Sequence, residues 1–422
     1  MVLYRRVRDV ILWLPRNRNL FVFWSGQLVS NVGDRIHWLA VGLLVVELTG
    51  SALQTGVYYA LVNVPEVVLG FVAGTVADRV NRRLLMASMD TARAVLVALI
   101  PVLALTGHLR IEAVYGIVVA LAVCNVFFDT ASGALIPQIV AREELASANS
   151  ALSLNRELAF LVGPAVGGVL VSTWGTAHAL WTTAAGYAAS ALAVTAMQVP
   201  PGKQGPAEEA RGFVGDLVEG IRYGFTVPVV RAISAKSLLA NWAWGASIAI
   251  LIYHFRANVG LRPQEIGLGF AAVGVASVTG AAAGASIGRY LGWARGATLV
   301  TFLGVLGLLV LASVPSFWGL VLGGALGGFT IPVANINYTA LRQSVVPQEM
   351  QGRAWAFERT VSLASYPLGN LFGGVLAQLL SAPAVFVLCS LLLALSALAG
   401  WFGGLRAFAE VGRTRASQSV RE

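Results

Sequence analysis

The chain has 422 residues, of which 57% are hydrophobic and only 12% are charged, and its mean hydropathy is +0.74. A soluble domain carries about a quarter charged residues, so this composition excludes an ordinary water-soluble fold. Many apolar runs reach about 20 residues, the length that spans a bilayer, and they predict an all-α integral membrane protein. The sequence lacks the segments of about ten alternating apolar and polar residues that are typical of a transmembrane barrel.

The charge and cysteine content exclude several other classes. The net charge of +9 does not indicate a nucleic-acid partner, because the basic residues stand between apolar runs rather than in one patch. Cys124 and Cys389 both lie in apolar runs and offer no disulfide framework or metal cluster. No G-x-x-x-x-G-K-[ST] loop is present, which excludes ATP as the energy source. We predict no cofactor and no metal, and expect the lipid bilayer, a small-molecule substrate and protons as partners.

In chain order, the apolar runs predict twelve membrane spans, six on each side of the polar linker PPGKQGPAEEARG. The predicted domains are a six-helix bundle at 1–198, a cytoplasmic linker at 199–228, and a second bundle with a short tail at 229–422. In the linker, an apolar residue recurs every fourth position, at Phe213, Leu217, Ile221 and Phe225. This spacing predicts a short amphipathic helix that lies either in the membrane surface or against the protein itself. The predicted spans are 20–47, 54–76, 84–106, 112–137, 148–172, 176–198, 229–255, 264–288, 296–314, 316–342, 354–380 and 384–406.

The positions of arginine and lysine between the spans predict the orientation. Nearly all of them fall in one set of connections, which includes both termini and the central linker, whereas the opposite set holds only Arg110, Arg256 and Arg262. Basic residues accumulate on the cytoplasmic side of membrane proteins. We therefore predict a multi-pass protein of the cell (inner) membrane with both termini in the cytoplasm.

The two halves of the sequence repeat each other. Four segments of the first half have a similar segment 205 to 210 residues later. The pairs are GTVADRVNRR and GASIGRYLGWAR, QIVAREELASA and QSVVPQEMQGRA, GPAVGGVL and GNLFGGVL, and LVSN and LLAN. This spacing indicates a duplicated six-helix unit. Two parallel repeats are typical of transporters in which one half rocks against the other.

These motifs resemble the major facilitator superfamily over nearly the whole chain. The phrases SNVGDR, ELTGSALQTG and ALIPQIVAREELASANS are similar to its bacterial branch of macrolide and multidrug efflux pumps, siderophore exporters and lysophospholipid transporters. The resemblance implies a monomer, and it implies that Asp78 belongs to a latch that ties the two halves together when the protein is closed to the cytoplasm. The resemblance rests on two motifs: G-x-x-x-D-R-x-x-R-R at Gly74, Asp78, Arg79, Arg82 and Arg83, and the fifth-span G-P-x-x-G-G at Gly163, Pro164, Gly167 and Gly168.

The chain departs from the family pattern at two positions. Gly288 stands in the second-half copy where the first half has Asp78, so the latch would be one-sided. Many drug exporters have an arginine four residues before the fourth-span glycine, whereas this chain has Asp129 before Gly133. Glycine pairs at four-residue spacing, such as Gly70 and Gly74, are expected to let helix backbones approach closely.

Charged residues within the spans fall into two groups by predicted depth. Such residues are costly in a membrane, which makes them functional candidates. Asp34, Arg35 and Glu66 are predicted near the midplane. A second group, predicted in the cytoplasmic third, serves either as structural salt bridges or as part of the latch. It comprises Asp90, Arg93, Asp129, Arg156, Glu157, Glu358 and Arg359.

Asp34 is the predicted main proton carrier, and Glu66 is the next candidate. A buried carboxylate favours its protonated form, and the midplane is where alternating access requires a binding site. His37 lies three residues after Asp34, on the same helix face, where it can pass protons on. The alternative is that Asp34 only completes an internal hydrogen-bond network or pairs permanently with an arginine. A substrate cavity is predicted at Asn31, Arg35, Trp38, Tyr58, Tyr59, Asn241, Trp242 and Trp244, although aromatic residues in spans more often simply pack.

The leading function is a proton-coupled antiporter that exports hydrophobic or amphipathic small molecules, including antibiotics. A lysophospholipid flippase or siderophore exporter of the same superfamily is the alternative. The third candidate function is that of a membrane-embedded enzyme or a sensor. The sequence offers no paired catalytic residues for an enzyme, and the tail after residue 406 is too short for a sensor's output domain. We therefore predict that the protein is not an enzyme.

Overall fold

The structure is a computed structural model, and it describes residues 17–198 and 225–408 together with Leu14 and Arg222. These residues form twelve long α-helices and no strand. The predicted amphipathic helix of the linker lies outside the described residues, apart from Phe225. The helices are α1 (Arg18–Thr49), α2 (Ala52–Arg79), α3 (Arg82–Leu105), α4 (Ile111–Ile139), α5 (Leu145–Trp174), α6 (Leu180–Ala196), α7 (Pro228–Tyr253), α8 (Pro263–Leu291), α9 (Trp293–Ser313), α10 (Phe317–Val345), α11 (Gln351–Leu379) and α12 (Ala382–Phe402).

Most of these helices are long and apolar enough to cross a bilayer. Eight meet that condition alone, and α2 is a ninth if its two parts, which meet at a bend of 59°, form one span. Of the other three helices, α6 has 17 residues, and polar or charged side chains such as Asp34 and Glu358 interrupt α1 and α11. Many leucines face outward, including Leu84, Leu192 and Leu379, as expected for a lipid-facing surface. The protein is an all-α integral membrane protein.

Short polar residues and glycines end the helices. Asn17 and Asn81 each accept a hydrogen bond from the backbone three residues on, which satisfies an N–H group that the first turn leaves unpaired. Gly50 follows α1 at φ +58° and Gly292 precedes α9 at φ +85°, a backbone conformation that glycine adopts without strain. These caps allow short connections between long helices.

The helix packing repeats with a shift of six helices. In the first half, α1 packs on α5 and α6, and α3 packs on α4 and α6. In the second half, α7 packs on α11 and α12, and α9 packs on α10 and α12. The same four pairings therefore occur twice. This agrees with the duplicated six-helix unit that the sequence predicts.

The chain contacts group into two compact units. Unit 1 comprises the described residues within Met1–Gly50, Leu61–Glu209 and Arg262–Ala271. Unit 2 comprises the described residues within Ser51–Ala60, Ala210–Leu261 and Ala272–Glu422. Each has its own apolar core: that of unit 1 includes Phe23 and Met86, and that of unit 2 includes Ile233 and Leu341. The predicted boundaries at 198 and 229 stay a prediction.

Candidate functional site

Unit 1 contains a polar cavity of about 430 Å³ between α1, α3, α4 and α5. Such a volume lies within the usual size range of small-molecule sites. Its walls carry both signs of charge, in contrast to the apolar outer surface of the helices. The polar and charged lining residues are Gln27, Asn31, Asp34, Arg35, Arg93, Asn125, Asp129, Ser132, Asn149 and Arg156. We call this space the unit-1 cavity.

Asp34 is held in this cavity by a hydrogen bond from a neighbouring helix. The hydroxyl group of Tyr187, on α6, donates a hydrogen bond to Asp34 Oδ1. Tyr187 is almost fully buried, at 2% exposure, so its ring cannot leave without moving α6. Thr183, one turn earlier on α6, donates to the carbonyl of Gly33 at 3.0 Å. Two hydrogen bonds therefore fix the position of Asp34 against α6.

Arg93 connects the charged groups of unit 1. Its guanidinium forms an ion pair with Asp90, one turn earlier on α3, and donates to Asn125 Oδ1 at 2.8 Å. It also lies against two aromatic rings, 4.3 Å from the ring centroid of Phe128 and 4.5 Å from that of Tyr187. Asp34 and Asp129 interact with it electrostatically. A proton gained or lost on either of these carboxylates therefore changes the balance of charge around Arg93.

The two groups of charges that the sequence places at different depths meet in this cavity. Asp34 and Arg35, predicted at the midplane, share it with Arg93, Asp129 and Arg156, predicted in the cytoplasmic third. A shared cavity does not test the depth of these residues in the membrane, which stays a prediction. Arg35 lies on the same cavity as Asp34, with its guanidinium 5.3 Å from the ring centroid of Phe160.

The remaining predicted proton carriers do not line this cavity, and neither does the predicted network member Glu157. Glu66 and His37 do not line the unit-1 cavity, and Glu157 is exposed on α5. His37 Nε2 is buried without a hydrogen-bond partner in the described residues. The roles of Asp34, Glu66 and His37 in proton coupling stay predictions.

Glycines of the fifth-span motif bring α5 against α1. A Cβ at Gly163 would lie 2.4 Å from the Cβ of Arg35, and one at Gly167 would lie 3.2 Å from the Cα of Ile36. Real Cβ atoms do not approach another atom as closely as 2.4 Å. The glycines therefore allow a contact that places Arg35 at the cavity, and Pro164 lies between them inside the helix. At Gly70 and Gly74, the described residues place no atom within 4 Å of a Cβ, so the close packing predicted there is not found.

We expect Gly163→Val to destabilise the protein by about 1–3 kcal/mol, as overpacking of a tight contact does. The new side chain would push α1 and α5 apart and move Arg35. The measurement is the melting temperature in detergent, together with the binding of an exported drug. Gly116→Ala is the matched control, because a Cβ there meets no atom within 4 Å and α4 gains helix propensity. Equal melting temperatures for Gly163→Val and the control would contradict the packing role.

The Gly74–Arg83 motif joins helix ends within unit 1. Arg82 pairs with Asp78 at 3.0 Å and donates to the carbonyl of Ala134, on α4, at 3.1 Å. Arg83 donates to the carbonyl of Thr195, at the end of α6. Asp78 itself is well exposed, at 61% of its side chain, and Arg79 is exposed as well. The motif thus connects α3 to α2, α4 and α6 through hydrogen bonds and an ion pair. The role of Asp78 in a latch stays a prediction.

Several predicted aromatic cavity residues pack against other rings. Trp38 meets Phe270 edge-on with ring centroids 5.0 Å apart. Tyr58 and Tyr59 lie 4.6 Å apart and are fully buried. Trp242 packs on Phe372 at 5.2 Å. None of these four residues lines the cavities described here.

Unit 2 contains a second polar cavity, in two adjoining parts. One part, of about 240 Å³, is lined by Lys236, Asn241 and Trp244; the other, of about 530 Å³, is lined by Arg342 and Arg359. Four residues line both parts: Ser237, Asn335, Glu358 and Ser362. We call this space the unit-2 cavity. Asn31 and Asn241, which occupy matching positions of the two repeats, each line the cavity of their own unit.

Sequence reasoning missed residues of two kinds. Tyr187 stands in an apolar run without a nearby charge, so no sequence pattern marks it as a partner of Asp34. Lys236 and Arg342 do carry a sequence signal, because a cationic residue inside a span is a functional candidate by itself. Within the described part of the chain, no group of three or more His, Cys, Asp or Glu residues is placed to hold a metal ion.

Comparisons with known proteins agree with this architecture. The multidrug efflux pump Tap of Mycolicibacterium fortuitum is 29% identical over 383 residues, which cover 88% of this chain and 92% of Tap. Macrolide efflux protein A of Streptococcus pyogenes is 22% identical over 370 residues, covering 85% of this chain and 89% of the relative. Among solved structures, a point mutant of the nucleoside transporter NupG matches with a TM-score of 0.76 at 12% identity, over 92% of this chain and 100% of NupG.

A family model matches a larger part of the chain than these three proteins do. The model described as "Transmembrane secretion effector" matches residues 12–420, which is nearly the whole chain. Its members are transporters rather than enzymes. The chain therefore belongs to the transmembrane secretion effector family of the major facilitator superfamily and is a multi-pass membrane transporter.

Proposed function

We propose that the protein is a proton-coupled exporter, which moves hydrophobic or amphipathic small molecules out of the cell in exchange for protons. The relatives named as a multidrug efflux pump and a macrolide efflux protein support drugs as the substrate class. The size of the unit-1 cavity and its mixture of charged and amide groups support the binding of drug-sized molecules.

The surroundings of Asp34 are the observation that supports coupling to protons. Asp34, within helix α1, lines a cavity that also exposes Arg93, and Tyr187 donates a hydrogen bond to its carboxylate. The carboxylates of Asp34, Asp90 and Asp129 balance the guanidinium groups of Arg35, Arg93 and Arg156. A proton taken up by Asp34 removes one negative charge and leaves the group with an excess positive charge. Substrate binding in this cavity therefore depends on whether Asp34 is protonated, and this linkage is the basis of exchange.

Flux measurements in liposomes test this proposal. Purified protein is reconstituted with a pH-sensitive dye inside, and a macrolide or another exported drug is added outside. We expect the drug to move protons in the opposite direction in proportion to its own flux. Protein-free liposomes and an ionophore that collapses the pH gradient are the controls. Drug movement without any proton movement would refute the coupling.

We further propose that the protein acts as a monomer in the cell (inner) membrane with both termini in the cytoplasm. The sequence distribution of arginine supports this orientation. Accessibility tags placed at the N-terminus, within the linker at 203–210 and at the C-terminus are all expected to react only from the cytoplasmic side. A tag at Arg110, in the opposite set of connections, is the control that should react only from outside. Any terminal or linker tag that reacts from outside would overturn this orientation.

A further inference from the structure

The unit-2 cavity contains a buried lysine without a hydrogen-bonded partner. Lys236, on α7, is 6% exposed and lines the cavity. Its ammonium group lies 4.2 Å from the ring centroid of Tyr338. In the described residues it has no hydrogen-bond acceptor and no carboxylate within ion-pair distance. Such a side chain is removed from bulk water without gaining a hydrogen bond from the protein, which is unfavourable.

The nearest carboxylate of the cavity is already engaged. Glu358 interacts with Lys236 electrostatically, but it forms its ion pair with Arg342, on α10. Arg342 is buried as well, at 6% exposure. Arg359 adds another positive charge to the lining. Among the described lining residues, three cationic side chains therefore share the cavity with one carboxylate, which gives this lining an excess of positive charge.

The rest of the lining fits a molecule with a polar and an apolar part. Ser237 and Asn241, on the same helix as Lys236, and Asn335, on α10, supply hydrogen-bonding groups around the charge. Trp244 and Leu393 supply apolar surface in the same part of the cavity. An anion with an apolar body would satisfy Lys236 and bury its body against these side chains. An ammonium group of a ligand would instead meet three like charges.

We infer that the unit-2 cavity binds the carboxylate or phosphate group of an amphipathic molecule, with Lys236 as the residue that contacts the anion. This rests on the proposed function, since it specifies a chemical class among the exported molecules. It assigns a specificity role to a residue outside the two motifs named above. Hydrogen bonds to charged groups contribute about 1.5–3 kcal/mol, so a preference of about tenfold or more for the anion is expected.

Three probes with one apolar body test the inference. The protein is placed in nanodiscs of zwitterionic lipid, and equilibrium binding is measured for pyrenebutanoate, its methyl ester and pyrenebutylamine. Wild type should bind the anion about tenfold more tightly than the ester, and the amine most weakly. Lys236→Gln should remove the preference for the anion and leave the affinity for the ester unchanged, while Lys236→Arg should keep the preference. Arg289→Gln, an exposed residue of the same unit, is the matched control and should bind all three as wild type does.

A second variant makes the test independent of the stability of Lys236→Gln. Glu358→Gln removes the only carboxylate among the described lining residues, so it should strengthen binding of the anion and leave the ester unchanged. Equal affinities of the wild type for the three probes, absence of binding of all of them, or an anion preference that survives Lys236→Gln would each overturn the inference. So would weaker anion binding in Glu358→Gln.

Competition distinguishes the sources of the anion. Displacement of pyrenebutanoate by lysophosphatidylglycerol would assign the site to a lipid headgroup, and displacement by inorganic phosphate alone would assign it to a free anion. Displacement by neither would contradict recognition of phosphate, and the site would be limited to carboxylates. These binding measurements use no gradient. A failed anion preference therefore leaves proton-coupled export standing, and a failed proton-flux assay leaves the binding result standing.

Discussion

Asp34→Asn is expected to abolish export driven by a pH gradient while the substrate still binds. Asparagine keeps the size of the side chain and an oxygen that accepts the hydrogen bond from Tyr187, but it cannot ionise. One pH unit corresponds to about 1.4 kcal/mol, so exchange of one proton for one substrate sustains about a tenfold substrate gradient. In proteoliposomes under such a gradient, the variant should leave the substrate at equal concentrations on both sides. Its substrate binding should also lose its dependence on pH.

Asp129→Asn and Tyr187→Phe are the matched controls for this experiment. Asp129 lines the same cavity and interacts with Arg93, but lacks the hydrogen bond from Tyr187. If Asp34 carries the proton, Asp129→Asn should keep a substrate gradient. Tyr187→Phe removes the hydrogen bond and keeps the carboxylate, so it should keep a gradient too. A variant Asp34→Asn that still concentrates substrate with the wild-type pH profile would show that the proton is carried elsewhere.

The fold could be predicted from the sequence because a bilayer imposes a simple rule on it. Every span must be about 20 apolar residues long and must satisfy its own backbone hydrogen bonds, so hydropathy alone locates most of the helices. The second span, predicted at 54–76, corresponds to α2 at Ala52–Arg79, and the last, predicted at 384–406, corresponds to α12 at Ala382–Phe402. The errors lie at the helix ends, where a polar cap rather than hydropathy decides the boundary.

The site was harder to predict because it depends on how helices face each other. The position of a residue along its helix gives the depth of its backbone but not the reach of a long side chain. The sequence therefore does not place Arg93 beside Asp34, although its guanidinium contacts the ring of Tyr187, and the hydroxyl of Tyr187 donates a hydrogen bond to Asp34. No sequence pattern shows that α6 brings Tyr187 to this position. The contact between Gly163 and Arg35 likewise follows from the packing of α5 on α1, and the motif alone indicates only that some close contact exists.

Arg93→Met is expected to destabilise the protein strongly. Arg93 is 3% exposed, and its partner Asp90 is fully buried. Removal of one member of a buried ion pair leaves the other charge uncompensated and costs about 3–5 kcal/mol. Methionine keeps most of the apolar contact with Phe128, so the loss reports mainly on charge. The measurement is the melting temperature of the purified protein in detergent, with the yield of monodisperse protein as a second readout.

A second substitution separates charge from packing in this prediction. Asp90→Asn removes the carboxylate that Arg93→Met leaves unpaired, so the double variant should recover a large part of the lost stability. Arg110→Met is the matched control, because Arg110 is exposed and should change the stability by no more than about 0.5 kcal/mol. If the double variant melts no higher than Arg93→Met, the loss comes from the packing of Arg93 against Phe128 and Tyr187 rather than from its charge. If Arg93→Met has the melting temperature of the wild type, Arg93 does not hold the charged groups of unit 1 together. The linkage between proton and substrate then requires another cation of the cavity, and Arg35 is the first candidate.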